Sequence, residues 1–233
     1  MSYLTPNWPV PRNVKSIITT KKTVGVPSAH PRSDHTYYET LKNALTLPSE
    51  PIWLTQTHSN KAVKAVAEHR HTEADASIAE HPNNIAVVFT ADCLPILICN
   101  KAGNKVAAAH AGWRGLLCGI IANSVNLMNE IPENLLIYLG PAIGPQQFEV
   151  GVDVYDAFVT RQLENANAFT SKEADKWLAN IYQLAAIQLH QLGITAAQIF
   201  GGEHCTVTES DLFYSYRRDH GQTGRIASLI WFE

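Results

Sequence analysis

From residue 85 onward the chain alternates short, continuous apolar runs with longer stretches whose apolar residues recur at helical spacing. Residues 85–90 (IAVVFT) and 94–99 (LPILIC) are apolar and β-branched, which predicts strands buried on both faces. A polar turn with Gly103 occupies 100–104, and 105–110 forms a strand entering a tight turn between Gly112 and Gly115. A mostly apolar helix is predicted over 116–128 and a strand over 135–139, closed by Gly140-Pro141. Helical spacing continues over 153–163 and 174–192, with Gly193 where a left-handed C-terminal cap belongs. Late strands fall at 198–200, 212–216 and 226–232. Upstream, 16–20 reads as a strand and 34–45 as a helix ended by the turn at Pro48, while 52–55 and 61–67 read as strands flanking a turn at His58. This alternation predicts an α/β fold of mixed β-sheets layered with helices, in a single domain over 1–233.

Composition narrows the class. The 233 residues are 45% hydrophobic and 17% charged, enough apolar material for a sizeable core and too little charge for disorder. The net charge of −3 comes without a long basic run, so no nucleic-acid footprint is expected. The N-terminal 15 residues are proline-rich and lack an apolar signal core, and no apolar run approaches the roughly 20 residues a membrane span requires. The four cysteines, Cys93, Cys99, Cys118 and Cys205, are scattered through apolar segments rather than closely paired. They read as reduced thiols of a cytoplasmic protein. The expected state is a monomer acting on small molecules, without nucleic acid or membrane.

The candidate chemistry collects where strands stop, the usual place for ligands in α/β folds. Cys93 lies in Thr90-Ala91-Asp92-Cys93-Leu94-Pro95, His110 in Ala109-His110-Ala111-Gly112-Trp113-Arg114-Gly115, and His58 in Gln56-Thr57-His58-Ser59. One cysteine and two histidines can hold zinc and leave a coordination position open. The same residues also fit a hydrolase pair, with Cys93 as nucleophile and His110 as base, or a buried thiol with two hydrogen-bonded imidazoles. Asp92 is a candidate for orienting a ligand histidine or accepting a proton, or else simply binds backbone amides. Arg114, in a glycine-flanked turn opening a helix, suits an anion such as phosphate. In Tyr214-Ser215-Tyr216-Arg217-Arg218 a strand ends in two cations. They either flank an anionic substrate, with Arg217 the candidate contact, or pair with acidic neighbours. The loop Gly140-Pro141-Ala142-Ile143-Gly144-Pro145 either presents backbone amides to a ligand or is a rigid turn. His69-Arg70-His71 with Glu73 reads as a solvated loop, and Cys205 beside His204 as structural.

Together these motifs resemble the laccase-domain proteins, also described as multicopper polyphenol oxidoreductase-like proteins, peptidoglycan editing factors or laccase-domain purine nucleoside phosphorylases. The resemblance is carried by Gln56-Thr57-His58, Ala74-Asp75-Ala76, the Cys93 and His110 motifs, the Gly140 loop, Cys205-Thr206, Tyr214 to Arg218 and Thr223-Gly224-Arg225, in that order from about residue 52. It implies a single α/β domain and a zinc site made by His58, Cys93 and His110. It also implies phosphorolysis of adenosine, inosine and methylthioadenosine to free base and ribose 1-phosphate, with deamination of adenosine. Copper-dependent oxidation of phenols and editing of peptidoglycan precursors are the other activities tied to the family; copper would occupy the same donors. Two departures stand out. Ser59 replaces the glycine that usually follows the first ligand histidine. The segment 26–40 is short, and an ungapped reading back from Pro51 puts Tyr38 where the family carries an arginine of the nucleoside and phosphate site. Efficient phosphorolysis then requires Arg32 or Lys42 to take over.

Overall fold

The structure, a computed structural model, describes residues 3–23 and 35–233, apart from the side chains of 35–37. Arg32 and Asp34 therefore lie outside the described residues. In chain order the strands are β1 (Tyr3–Leu4), β2 (Val14–Thr19), β3 (Ala62–Lys64), β4 (Ala76–Ala79), β5 (Ala86–Thr90), β6 (Leu94–Asn100), β7 (Val106–Ala111), β8 (Leu135–Leu139), β9 (Glu149–Gly151), β10 (Phe169–Glu173), β11 (Lys176–Ala179), β12 (Ile199–Gly201) and β13 (Ile226–Phe232). The helices are α1 (His35–Leu45), α2 (Trp113–Cys118), α3 (Ile120–Met128), α4 (Val152–Arg161) and α5 (Ile181–Gln191).

A six-stranded mixed sheet, β12-β8-β6-β7-β4-β3, packs against a four-stranded antiparallel sheet, β1-β2-β13-β5. Strand periodicity explains why the sequence shows continuous apolar runs there: alternate residues enter different cores. In β5, Val87 and Phe89 pack under α1 with Leu41 and Leu45, whereas Val88 faces the large sheet. In β6, Leu97 and Cys99 face the small sheet, whereas Ile96 and Ile98 pack under α3 and α5 with Val125, Leu184 and Ile187. Both sheets are thus covered on both faces, giving α1, small sheet, large sheet and the α2–α3–α5 layer in sequence. The mixed α/β layering expected from the alternation is what the chain adopts.

Several expectations fail for identifiable reasons. Residues 174–192 are not one helix. The segment opens with the β10–β11 hairpin, turned at Asp175 with φ +62°, and the helix starts only after Asn180, whose side chain accepts the Gln183 amide. Ladder pairing of 176–179 with both β9 and β10 outweighs local helix propensity. The helix expected over 116–128 starts earlier and breaks in two at Gly119, whose φ of +92° no helix tolerates. Residues 212–216 are irregular rather than a strand, so Arg217 and Arg218 follow a loop. Residues 52–55 make only isolated bridges to Ala86 and Glu73. The short strands β1, β4 and β9 carry too little pattern to be read.

Among the described residues no helix is long and apolar enough to cross a membrane.

Candidate metal centre

His58, Cys93 and His110 come from three separate elements. His58 sits in the turn before β3 with φ +62°, a left-handed conformation that a non-glycine residue adopts only when its surroundings fix it. What fixes it is Asp75. This carboxylate, at the entry to β4, is fully buried and accepts the amides of Thr57, His58 and Ser59 and the Ser59 hydroxyl. Cys93 follows β5, one residue after Asp92, which is itself strained at φ +87°. His110 lies in β7, where pairing with Pro95 of β6 sets it across from the Cys93 turn.

The three donor atoms all lie within 4.8 Å of one another. His58 Nε2 is 3.7 Å from Cys93 Sγ, and the two imidazoles meet edge to face with centroids 4.7 Å apart. His110 Nδ1 is 2.8 Å from Asp75 Oδ1, so this nitrogen carries the proton and Nε2 is left for a metal. Gly112 leaves the space open: a Cβ there would come within 2.9 Å of the His58 ring and 3.0 Å of Cys93 Sγ. Donor types, spacing and the carboxylate behind His110 all fit a tetrahedral ion with one position free. Burial alone would raise the Cys93 thiol. The His110 charge and the hydrogen bonds from both imidazoles outweigh burial and hold the thiol well down, while Cys93 and Asp75 in turn hold His110 up. Burial would likewise raise Asp75, but hydrogen bonds from His110 and Ser59 bring it down to about 2.

The centre opens into a cavity of about 420 Å³. Arg114, Arg217 and Arg225 line it, with Asp92 as the carboxylate among the lining residues. Arg114 lies 4.2 Å over the Trp113 ring. The helix it was expected to exploit runs only six residues, so the cationic character there comes from the guanidinium rather than a helix dipole. The two adjacent arginines behave differently. Arg218 pairs with Asp219 at 2.7 and 2.8 Å and spends its remaining donors on the carbonyls of Thr206, Val207 and Phe213. Among the described residues the Arg217 guanidinium donates to the Gln147 and Glu149 carbonyls and lies 6.0 Å over the Phe148 ring, and no carboxylate pairs with it.

Asp92 lines the cavity but orients no histidine. Its oxygens accept the Thr206 hydroxyl at 2.5 Å and the Arg217 amide at 2.7 Å. The orienting carboxylate is Asp75, which the residue pattern did not single out; its signal was a lone charge between small apolar neighbours, Ala74-Asp75-Ala76. The amides of Ala142, Ile143 and Gly144 are spent on the Tyr182 hydroxyl, the Asp92 carbonyl and Cys205 Sγ, which makes the loop a rigid turn. His69 bonds the Lys64 carbonyl, Arg70 pairs with Glu50, and no metal group forms there among the described residues. All four cysteines are free thiols. Tyr38 lines the cavity and stacks on Trp53 at 4.3 Å; Lys42 does not line it.

A family model described as multi-copper polyphenol oxidoreductase laccase matches residues 31–233. A Haemophilus influenzae protein named purine nucleoside phosphorylase is 43% identical over the whole of both chains. Purine nucleoside phosphorylase YfiH of Escherichia coli is 44% identical over 98% of each. A crystal structure of a Neisseria meningitidis protein superimposes with a TM-score of 0.90 over 99% of both chains at 43% identity. With its Cys-His-His cluster in place and the match running through nearly its whole length, the chain belongs to the multi-copper polyphenol oxidoreductase laccase family.

Proposed function

We propose that the chain is a zinc-dependent purine nucleoside enzyme. It cleaves adenosine, inosine and methylthioadenosine with phosphate to the free base and ribose 1-phosphate, and it deaminates adenosine. A single domain over 1–233 carries the activity. The supporting observation is the convergence of His58, Cys93 and His110 in the wall of a cavity lined by three guanidiniums and several aromatic rings. Full-length relatives named as purine nucleoside phosphorylases support the substrate class.

His58, Cys93 and His110 hold the ion, and Asp75 keeps His110 in the tautomer that can ligate. Zinc bound there supplies a Lewis acid with an open position. Arg114 and Arg217 draw phosphate into the cavity by charge and forked hydrogen bonds. Trp113, Phe89 and Tyr38 offer ring surface for a purine. Asp92, fixed by Thr206 and the Arg217 amide, accepts or returns a proton at its carboxylate.

Copper suits the same three donors as a single ion. A multicopper oxidase needs several metal sites, whereas the described residues form one such group. A second reading, a Cys93–His110 hydrolase acting on an amide of a cell-wall precursor, draws support from the thiol held down by its imidazole neighbours.

Elemental analysis and product analysis with adenosine, with and without phosphate, test the proposal. Zinc near one per chain with phosphate-dependent ribose 1-phosphate is expected for phosphorolysis, and inosine for deamination. Cys93→Ala should lose metal and at least about a hundredfold of turnover together. Lost turnover with retained zinc, or a chelator-resistant wild type, transfers the assignment to the hydrolase.

A further inference from the structure

The loop that carries Arg217 also brings an exposed ring to the cavity. Among the described residues the large exposed apolar side chains are Tyr3, Ile131, Val152, Leu163 and Tyr216, and of these Tyr216 alone lines the cavity. It is 57% exposed, whereas Phe89 and Phe148 in the same lining are 8% and 7% exposed. The other rings of the lining are partly covered: Tyr38 and Phe89 stack on Trp53, and Arg114 lies over Trp113.

A single exposed aromatic residue is ordinary on a protein surface. What distinguishes Tyr216 is that its backbone is fixed on both sides. Ser215 is fully buried, its hydroxyl accepts the Arg218 amide, and its carbonyl accepts the Asp219 amide. The Tyr216 carbonyl accepts the Gly221 amide at 2.9 Å. The next amide, that of Arg217, donates to the carboxylate of Asp92, which adjoins Cys93. The outer end of the ring rests against Gly221, where a Cβ would come within 3.2 Å of Cε2 and 3.3 Å of Cζ. Tyr216 is therefore anchored to the residue beside a metal ligand and backed by a glycine, with much of its surface left open. A ring held in this way loses little freedom when a flat ligand lies on it.

We infer that Tyr216 is a specificity-determining residue of the nucleoside site, a platform on which the purine base stacks. The inference rests on the nucleoside reading above. Stacking reads the flat face of a base rather than its hydrogen-bonding edge. Adenosine, inosine and methylthioadenosine differ in the exocyclic group of the purine or at the terminal carbon of the sugar, and all share that flat bicycle. A platform of this kind accepts all of them.

The test uses the metal-replete full chain with Tyr216→Ala, Tyr216→Leu and Tyr216→Phe. The readouts are kcat/KM for adenosine, dissociation constants for adenine, ribose 1-phosphate and phosphate, metal content and melting temperature. Tyr216→Ala should lose about tenfold in adenosine kcat/KM and in adenine affinity. Its affinities for ribose 1-phosphate and phosphate, its metal content and its melting temperature should stay those of wild type, because the ring is exposed and only the base lies on it. Tyr216→Phe should stay near wild type, and Tyr216→Leu should resemble Tyr216→Ala. Equal weakening of adenine, ribose 1-phosphate and phosphate, or loss of metal, overturns the inference by showing that the loop with Arg217 has moved. A Tyr216→Phe as impaired as Tyr216→Ala overturns it by assigning the effect to the hydroxyl. A wild type that neither binds nor turns over any purine nucleoside removes the nucleoside reading and this inference together. Unimpaired Tyr216→Ala alongside an active wild type removes this inference alone.

Discussion

Asp75 shows how much one buried side chain contributes to the centre. Both of its oxygens are occupied, one by the His58 amide and the His110 ring, the other by the amides of Thr57 and Ser59 and the Ser59 hydroxyl. It therefore sets the His58 turn and the His110 tautomer at once. Asp75→Asn, whose amide also presents donors, should lower metal affinity by about 10- to 100-fold, read by competition against a chromophoric chelator. Unchanged affinity would mean that the sheet alone positions His110. Ser59, where the family usually has glycine, causes no strain; the left-handed residue is His58, and the serine hydroxyl adds a donor to Asp75. The three ligands were legible as chemistry-bearing residues at strand ends. Asp75 was not, because its partners lie 16 to 35 residues away and only the folded turn brings them together.

At the scale of elements, the loop carrying Arg217 is held by Arg218 and Asp219 rather than by a strand. Hydrogen bonds from Arg218 outweigh burial and, with the Thr223 hydroxyl, hold the Asp219 carboxyl down to about 2. A group whose folded pKa lies below its unfolded value of about 3.9 contributes stability above that value, and the contribution is lost as pH falls through about 2. Asp219→Asn should therefore be less stable than wild type at neutral pH, with the gap narrowing between about pH 4 and pH 2; urea melts across that range check it. Helix α1 raises a separate question, because it delivers Tyr38 to the cavity where the family resemblance anticipates arginine. Tyrosine cannot supply that charge, and Lys42 lies off the cavity lining. Tyr38→Arg should lower the phosphate KM by about tenfold, at some cost from the lost stacking on Trp53. Phosphate saturation curves decide it, and an unchanged KM would mean that Arg114 and Arg217 already suffice.

Across the whole molecule, the inter-sheet core holds the β5–β6 connection, and with it Cys93, opposite β7 and His110. Leu97 of β6 is fully buried in that core, whereas Leu163 is 81% exposed. Leu97→Ala should cost about 2–5 kcal/mol and Leu163→Ala no more than about 0.5 kcal/mol, measured by denaturant unfolding. Comparable effects at the two positions would contradict the layered packing.

The long apolar strands β5, β6, β8 and β13 were readable because burial on both faces demands an unbroken run of hydrophobic residues. The chemistry of Cys93, His58 and His110 was readable because few other residue types bind metal or attack carbon. Local pattern failed at β10 and β11, where pairing between strands overrode helical spacing, and at residues 212–216, where a saturated arginine replaced a ladder. It also could not separate the two carboxylates: Asp92 adjoins a ligand in sequence and Asp75 does not, yet the fold turns Asp75 toward His110 and Asp92 toward Thr206. Chain sequence determined which groups were available and which segments had to be buried. Which of them meet depended on sheet register and loop anchoring, both set by contacts between residues far apart along the chain.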